Sequence, residues 1–192
     1  MTEVLKPGKK ALEKCVEVLK KGGILIYPTE TSYGIGADAT NGKTMENIIK
    51  LKNRPQEKKV SIAVSDTEMA KKYLEITKDV EKLVKAFMPG PITLLVKSKY
   101  GTEGFRIPDN EFVLNLIRAF GKPITATSAN ISGKPPLYRI SEVIRAFKGK
   151  VDIIIDGGDL SERRPSTVFN VEKKEIKREG PVTLEQIMKV IK

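Results

Sequence analysis

The chain has 192 residues, 35 Lys+Arg against 24 Asp+Glu, and a net charge of +11, which suits one generous domain attracting polyanions. It has no histidine and one cysteine, Cys15, so an internal disulfide, Cys/His zinc sites and histidine-based triads are excluded. Acid–base work therefore falls to carboxylates, lysine, tyrosine or the substrates, and the lack of an apolar leader or membrane-length apolar run predicts a cytoplasmic protein without membrane contact.

In chain order, Leu12, Val16 and Leu19 predict a helix over Lys9 to Lys21, stopped by Gly22-Gly23. Ile24 to Tyr27 reads as a buried strand ended by Pro28. The polar turn Pro28-Thr29-Glu30-Thr31-Ser32-Tyr33-Gly34 follows, then a short segment from Ile35 to Ala37. Thr44 to Leu51 is helical, and Pro55 prevents its continuation. Val60 to Val64 is a strand candidate; Ser65 and Glu68 have capping-box spacing for a short helix. Thr77 caps a further helix carrying Val80, Leu83, Val84 and Phe87. Pro89-Gly90-Pro91 leads into the strand Ile92 to Val96, residues 98–110 read as loop, and a helix over Glu111 to Phe120 closes at Gly121.

Pro123 to Ala126 is extended, and Ser141 is placed to cap a helix through Phe147. Val151 to Ile155, Thr167 to Val171 and Glu175 to Lys177 are extended; Thr183 and Gln186 form a capping box for a last helix. This alternation predicts an α/β layered fold with a central sheet, mixed because the strands after Val151 have no helices between them. With no repeat or linker, residues 1–192 are expected to form a single domain, its core over about residues 9–180 and its C-terminal helix over 183–192.

The loops after strands are the expected site of function. Thr29 to Tyr33 is dense in hydrogen-bonding groups, though a plain Pro/Gly turn explains it equally. Lys52-Asn53-Arg54 ends a helix, where cations either complement the helix dipole or clamp phosphate. Arg106 is similarly ambiguous, because Pro108 after Ile107 stiffens the backbone beside it. Ser128 and Asn130 share a face if the chain there is extended; an Asx-type turn is the alternative. Ser166-Thr167 and Arg178 add hydroxyls and a cation. Neither a Walker loop nor a Gly-x-Gly-x-x-Gly loop is present. A surface rich in Lys and Glu, as in heat-adapted proteins, accounts for much of the positive charge as well as a ligand would. The residues alone therefore reach a basic α/β protein with a polar cleft for an anionic small molecule.

Taken together, the ordered set Gly22-Gly23-Ile24, Tyr27-Pro28-Thr29-Glu30-Thr31, Tyr33-Gly34-Ile35-Gly36, Lys52-Asn53-Arg54-Pro55, Pro89-Gly90-Pro91-Ile92-Thr93, Arg106-Ile107-Pro108, Thr127 to Gly133, Ser166-Thr167-Val168 and Arg178-Glu179-Gly180 resembles the YrdC family of threonylcarbamoyl-AMP synthases. The resemblance implies a single-domain twisted mixed sheet flanked by helices, with a concave basic cavity. It implies Lys52, Arg54, Ser128 and Asn130 as catalytic residues, and ATP contacts from these together with Lys59 and Arg178. Thr31, Arg106 and Ser166 are the expected threonine contacts, and no metal is held by the protein itself. L-threonine, bicarbonate and ATP, with Mg²⁺ on the nucleotide, would give threonylcarbamoyl-AMP and pyrophosphate; a separate transferase would then modify tRNA. Val64 is expected where many relatives carry a threonine-binding histidine, and the chain resembles the form without an extra C-terminal domain. Two alternatives differ in class: a non-catalytic module binding double-stranded RNA or tRNA, and an accessory domain of a carbamoyl-transfer enzyme.

Overall fold

Helix and strand alternate as the hydrophobic spacing requires, but the strands divide between two mixed sheets. The computed structural model describes residues 1–53, 60–99 and 101–192; Arg54 and Lys59 lie outside the described residues. The elements begin with β1 (Glu3–Leu5), α1 (Lys9–Lys20), β2 (Leu25–Pro28), β3 (Tyr33–Gly36), α2 (Gly42–Lys52), β4 (Ile62–Ala63), α3 (Thr67–Lys71), α4 (Lys78–Phe87) and β5 (Ile92–Ser98). They continue with β6 (Gly101–Arg106), α5 (Glu111–Phe120), β7 (Ile124–Thr125), β8 (Thr127–Ser128), α6 (Ile140–Phe147), β9 (Ile153–Ile155), β10 (Thr167–Asn170), β11 (Glu175–Arg178) and α7 (Leu184–Ile191).

The first sheet runs β1-β9-β2-β3-β8 and the second β11-β10-β5-β6-β4-β7. Alternation along the strands decides which core each side chain joins. In the first sheet, Leu25, Tyr27, Ile153 and Ile155 enter one apolar core, while Ile26 and Ile154 enter a second core with Ile48 of α2 and Val143 and Phe147 of α6. Helices therefore cover this sheet on both faces. In the second sheet Ile92, Leu94 and Phe169 join the larger core with Leu83 of α4 and Ile187 of α7. Each such side chain fully buried contributes about 1.5–3 kcal/mol. The intervening residues Thr93, Leu95 and Val168 line a cavity instead. That uncovered face positions the site.

The chain passes from one sheet to the other at Ala126. Thr125 pairs with Ile62 of β4, whereas Thr127 pairs with Ile35 of β3. Ala126 N–H donates to Ser61 O at 2.7 Å, and Thr125 Oγ1 donates to Ile35 O at 2.7 Å. This crossing carries Ser128 to the mouth between the sheets.

Several expectations are corrected. Residues 98–110 are not all loop, because β6 forms an antiparallel hairpin with β5. Its polar, glycine-rich sequence hides the strand; Gly104 is needed because a Cβ there would lie 2.4 Å from Ser61 Oγ. β1 also was not expected, and it is fixed by parallel pairing with the distant β9. The cap of α3 is Asp66, which accepts from Met69 N–H at 2.8 Å, and not Ser65, whose hydroxyl donates to Asp66. Ser141 lies inside α6; the first N–H of that helix, on Ile140, is taken by Asp159 Oδ1 at 3.0 Å. The caps Thr77 and Thr183, the latter with its full capping box, stand as expected.

Candidate active site

Residues from both sheets enclose a cavity of about 480 Å³. Among the described residues, Arg106 and Arg178 are its charged side chains and no carboxylate lines it. Hydroxyls supply most of the remaining polarity, including Thr29, Thr31, Ser32, Thr93, Ser128 and Ser166. Such a lining suits a multiply charged anion.

The first corner is built by the β2–β3 connection. Thr29 Oγ1 accepts from the N–H groups of Thr31 and Ser32, both at 3.2 Å, and donates to Ser32 O at 2.7 Å. This turn holds Thr31 3.1 Å from Thr29, and Arg106 at the end of β6 donates to Thr31 Oγ1 at 3.4 Å. Arg106 NH2 is ion-paired with Glu30 and donates to Gly90 O at 3.0 Å. Arg106 is 8% exposed, and burial, with Arg178 as a second cation nearby, lowers its guanidinium to about 10. It therefore stays charged at neutral pH. Its Nε is buried with no hydrogen-bond partner among the described residues.

Across the cavity, Arg178 grips the residue that precedes β10. Its Nε and NH2 donate to Ser166 O at 3.0 and 2.9 Å, and NH2 also reaches Ser166 Oγ at 3.0 Å. Ser166 Oγ in turn lies 3.1 Å from Thr93 Oγ1. Ser166 is thus joined to Arg178 and not to the Thr31–Arg106 corner. Desolvation lowers the Arg178 guanidinium as well.

The third corner is the turn after β8. Asn130 N–H donates back to Ser128 O at 3.0 Å, a tight backbone turn that is neither the extended segment nor the Asx-type turn expected from the sequence. Ser128 Oγ donates to Asn130 Oδ1 at 2.8 Å, and both side chains line the cavity. Lys52, 2% exposed, lies beneath them: its ammonium donates to Ser128 O, to Asn130 O at 3.0 Å and to Asn130 Oδ1 at 2.7 Å. Lys52 does not line the cavity itself. Asn130 Nδ2 donates to Lys134 O, so its amide is oriented from both ends.

The model of the Sua5/YciO/YrdC proteins, described as telomere recombination, matches residues 17–180. The chain belongs to the Sua5/YciO/YrdC family. A putative threonylcarbamoyl-AMP synthase of Methanocaldococcus jannaschii is 34% identical over 189 residues, covering 93% of this chain and 90% of that protein. The threonylcarbamoyl-AMP synthase of Vibrio campbellii is 29% identical over 184 residues, covering 89% of this chain and all (100%) of its own. A crystal structure of P. abyssi Sua5 complexed with L-threonine superposes with a TM-score of 0.90 at 32% identity; it is matched by 100% of this chain, which spans 61% of that longer chain.

Within this Sua5/YciO/YrdC frame the expected site residues fall into three corners. Thr31 with Arg106, Ser166 with Arg178, and Ser128 with Asn130 above Lys52 are each brought together; Arg54 and Lys59 fall outside the described residues. Val64 is not at the cavity: it is fully buried in the larger core, and the cavity-lining residues of this segment are Ser61 and Ala63, which both precede it. Successive residues of an extended segment face opposite ways, so Val64 turns to the core where Ala63 turns to the cavity. Sequence reasoning also missed Thr93 and Tyr138 as lining residues. Alternation within Ile92–Val96 would have found Thr93; nothing local marks Tyr138, which lies in an irregular stretch.

Proposed function

We propose that this chain is a threonylcarbamoyl-AMP synthase, converting L-threonine, bicarbonate and ATP to threonylcarbamoyl-AMP and pyrophosphate. The observation that carries the reading is a cavity with two arginine corners, a Ser-x-Asn turn and, among the described residues, no lining carboxylate. Threonine's amine first takes up bicarbonate, losing water, to become a carbamate. A carbamate oxygen then bonds to the α-phosphorus of ATP as the bond to the pyrophosphate oxygen breaks. Both partners are anions, so fixed cations and donors that are already oriented lower the barrier most.

Arg106 and Thr31 hold the carboxylate of threonine. Arg178, with Ser166, faces the nucleotide, and Arg54 and Lys59 act on the triphosphate. Ser128 and Asn130 donate to phosphate or carbamate oxygens, and Lys52 contributes its charge and the shape of the turn from below. Mg²⁺ would enter with the nucleotide as part of the substrate, neutralising phosphate charge. The product is an activated acyl group for a tRNA-modifying transferase. No helix among the described residues is long and apolar enough to cross a membrane.

The deciding experiment is pyrophosphate release from ATP with threonine and bicarbonate each added and omitted. Release that requires both supports the adenylation reading, and Arg54→Ala should then lose far more activity than Lys9→Ala on α1. Release with neither, or none with folded protein, rejects it and directs the next titration to RNA.

A further inference from the structure

Among the described lining residues Arg106 is the more deeply set of the two cations, and its orientation is decided from behind. Glu30 does not line the cavity, whereas its neighbours Thr29 and Thr31 do. Its carboxylate turns the other way and divides between two partners. Oε1 takes Arg106 NH2, and Oε2 accepts from Asp109 N–H at 3.2 Å. The side chains of the pair are 10% and 11% exposed, so the charges meet in largely dry surroundings. NH2 is further occupied by Gly90 O at 3.0 Å. One nitrogen of the guanidinium is thereby bound on the protein side by the segments preceding β3 and β5, and Glu30 itself is held by the N–H preceding α5. Left over is Nε, which is buried and has no partner among the described residues, beside NH1, whose contact to Thr31 is long at 3.4 Å.

A buried N–H without an acceptor is costly and uncommon, and at a ligand cavity it signals an acceptor that arrives with the ligand. An arginine's fork matches a carboxylate only when its plane is fixed.

We propose that Glu30 is a positioning residue: its carboxylate pins NH2 of Arg106 from outside the cavity, so that the unspent donors of the guanidinium are aimed at the carboxylate of the amino-acid substrate. This rests on the assignment of Arg106 to threonine's carboxylate. It also explains why an acidic residue is tolerated beside a site for anions. Glu30 offsets the positive charge of Arg106 while the cavity is empty and leaves its directional donors unspent.

The test is a ratio, which cancels any general loosening of the fold. Binding of L-threonine and of L-threoninamide, which lacks the carboxylate, is titrated against wild type, Glu30→Gln and Arg106→Lys. Glu30→Gln keeps the size of the side chain and removes its charge; it should cut the preference for threonine over threoninamide about tenfold while the KM for ATP moves less than about twofold. Glu30→Asp keeps the charge at shorter reach and should cut the preference less, which keeps the test open if the Gln variant fails to fold. An unchanged ratio in Glu30→Gln, beside a collapsed ratio in Arg106→Lys, overturns the role of Glu30 alone. A ratio unchanged in Arg106→Lys overturns the assignment of Arg106 and this inference with it. Equal losses for threonine and ATP in Glu30→Gln reduce Glu30 to a purely structural residue and also overturn the proposal.

Discussion

Arg106 and Lys52 are both buried cations beside the same cavity, yet they are used in opposite ways. Arg106 joins separate segments, the Glu30 turn, Gly90 before β5 and its own strand, and still lines the cavity with one N–H unspent. Lys52 reaches from the end of α2 to one short turn, giving donors to Ser128 O, Asn130 O and Asn130 Oδ1. A planar guanidinium can be held by one nitrogen and still present others; a compact ammonium serves best as a knot under a loop. The two therefore divide the labour. One cation lines the cavity with a donor to spare, while the other fixes the turn beside it.

The sharpest way to break this contrast is to remove each charge in turn. Arg106→Met should lower threonine-dependent pyrophosphate release on the order of a hundredfold or more, since it deletes an anion donor in a water-poor site. Lys52→Met should instead loosen the turn. Hydrogen exchange of residues 128–134 should quicken without any ligand, and unfolding in urea should cost about 1–3 kcal/mol less because buried acceptors lose their donor. A Lys52→Met protein with an unaltered turn and a loss confined to threonine would abolish the distinction.

A smaller effect is expected between the two arginine corners. Thr93→Val removes the hydroxyl beside Ser166 Oγ and should destabilise by about 1 kcal/mol, with a modest loss of activity from the Arg178 corner. Thr183→Ala, outside all three corners, sets the baseline. Loss of the α7 capping box should cost about 1 kcal/mol in urea unfolding and leave turnover unchanged.

Much of this molecule was legible along the chain because its signals are local. Helix starts at Thr77 and Thr183, the stop at Gly121 and the buried run before Pro28 depend on neighbours within a few residues. Tertiary pairing alone decided that polar Gly101–Arg106 is a strand, that Asp159 caps a helix far from itself in sequence, and that Val64 faces the core while Ser61 and Ala63 face the cavity.

The site divides along the same line. Residue types marked Thr31, Arg106, Ser128, Asn130, Ser166 and Arg178 as candidate donors and cations, and their resemblance in order to the family assigned them to one site. Which of them meet was set by two long-range devices, the crossing of the chain at Ala126 and the ion pair between Glu30 and Arg106. Pairing over such sequence separations depends on how two sheets pack, and no local pattern encodes it.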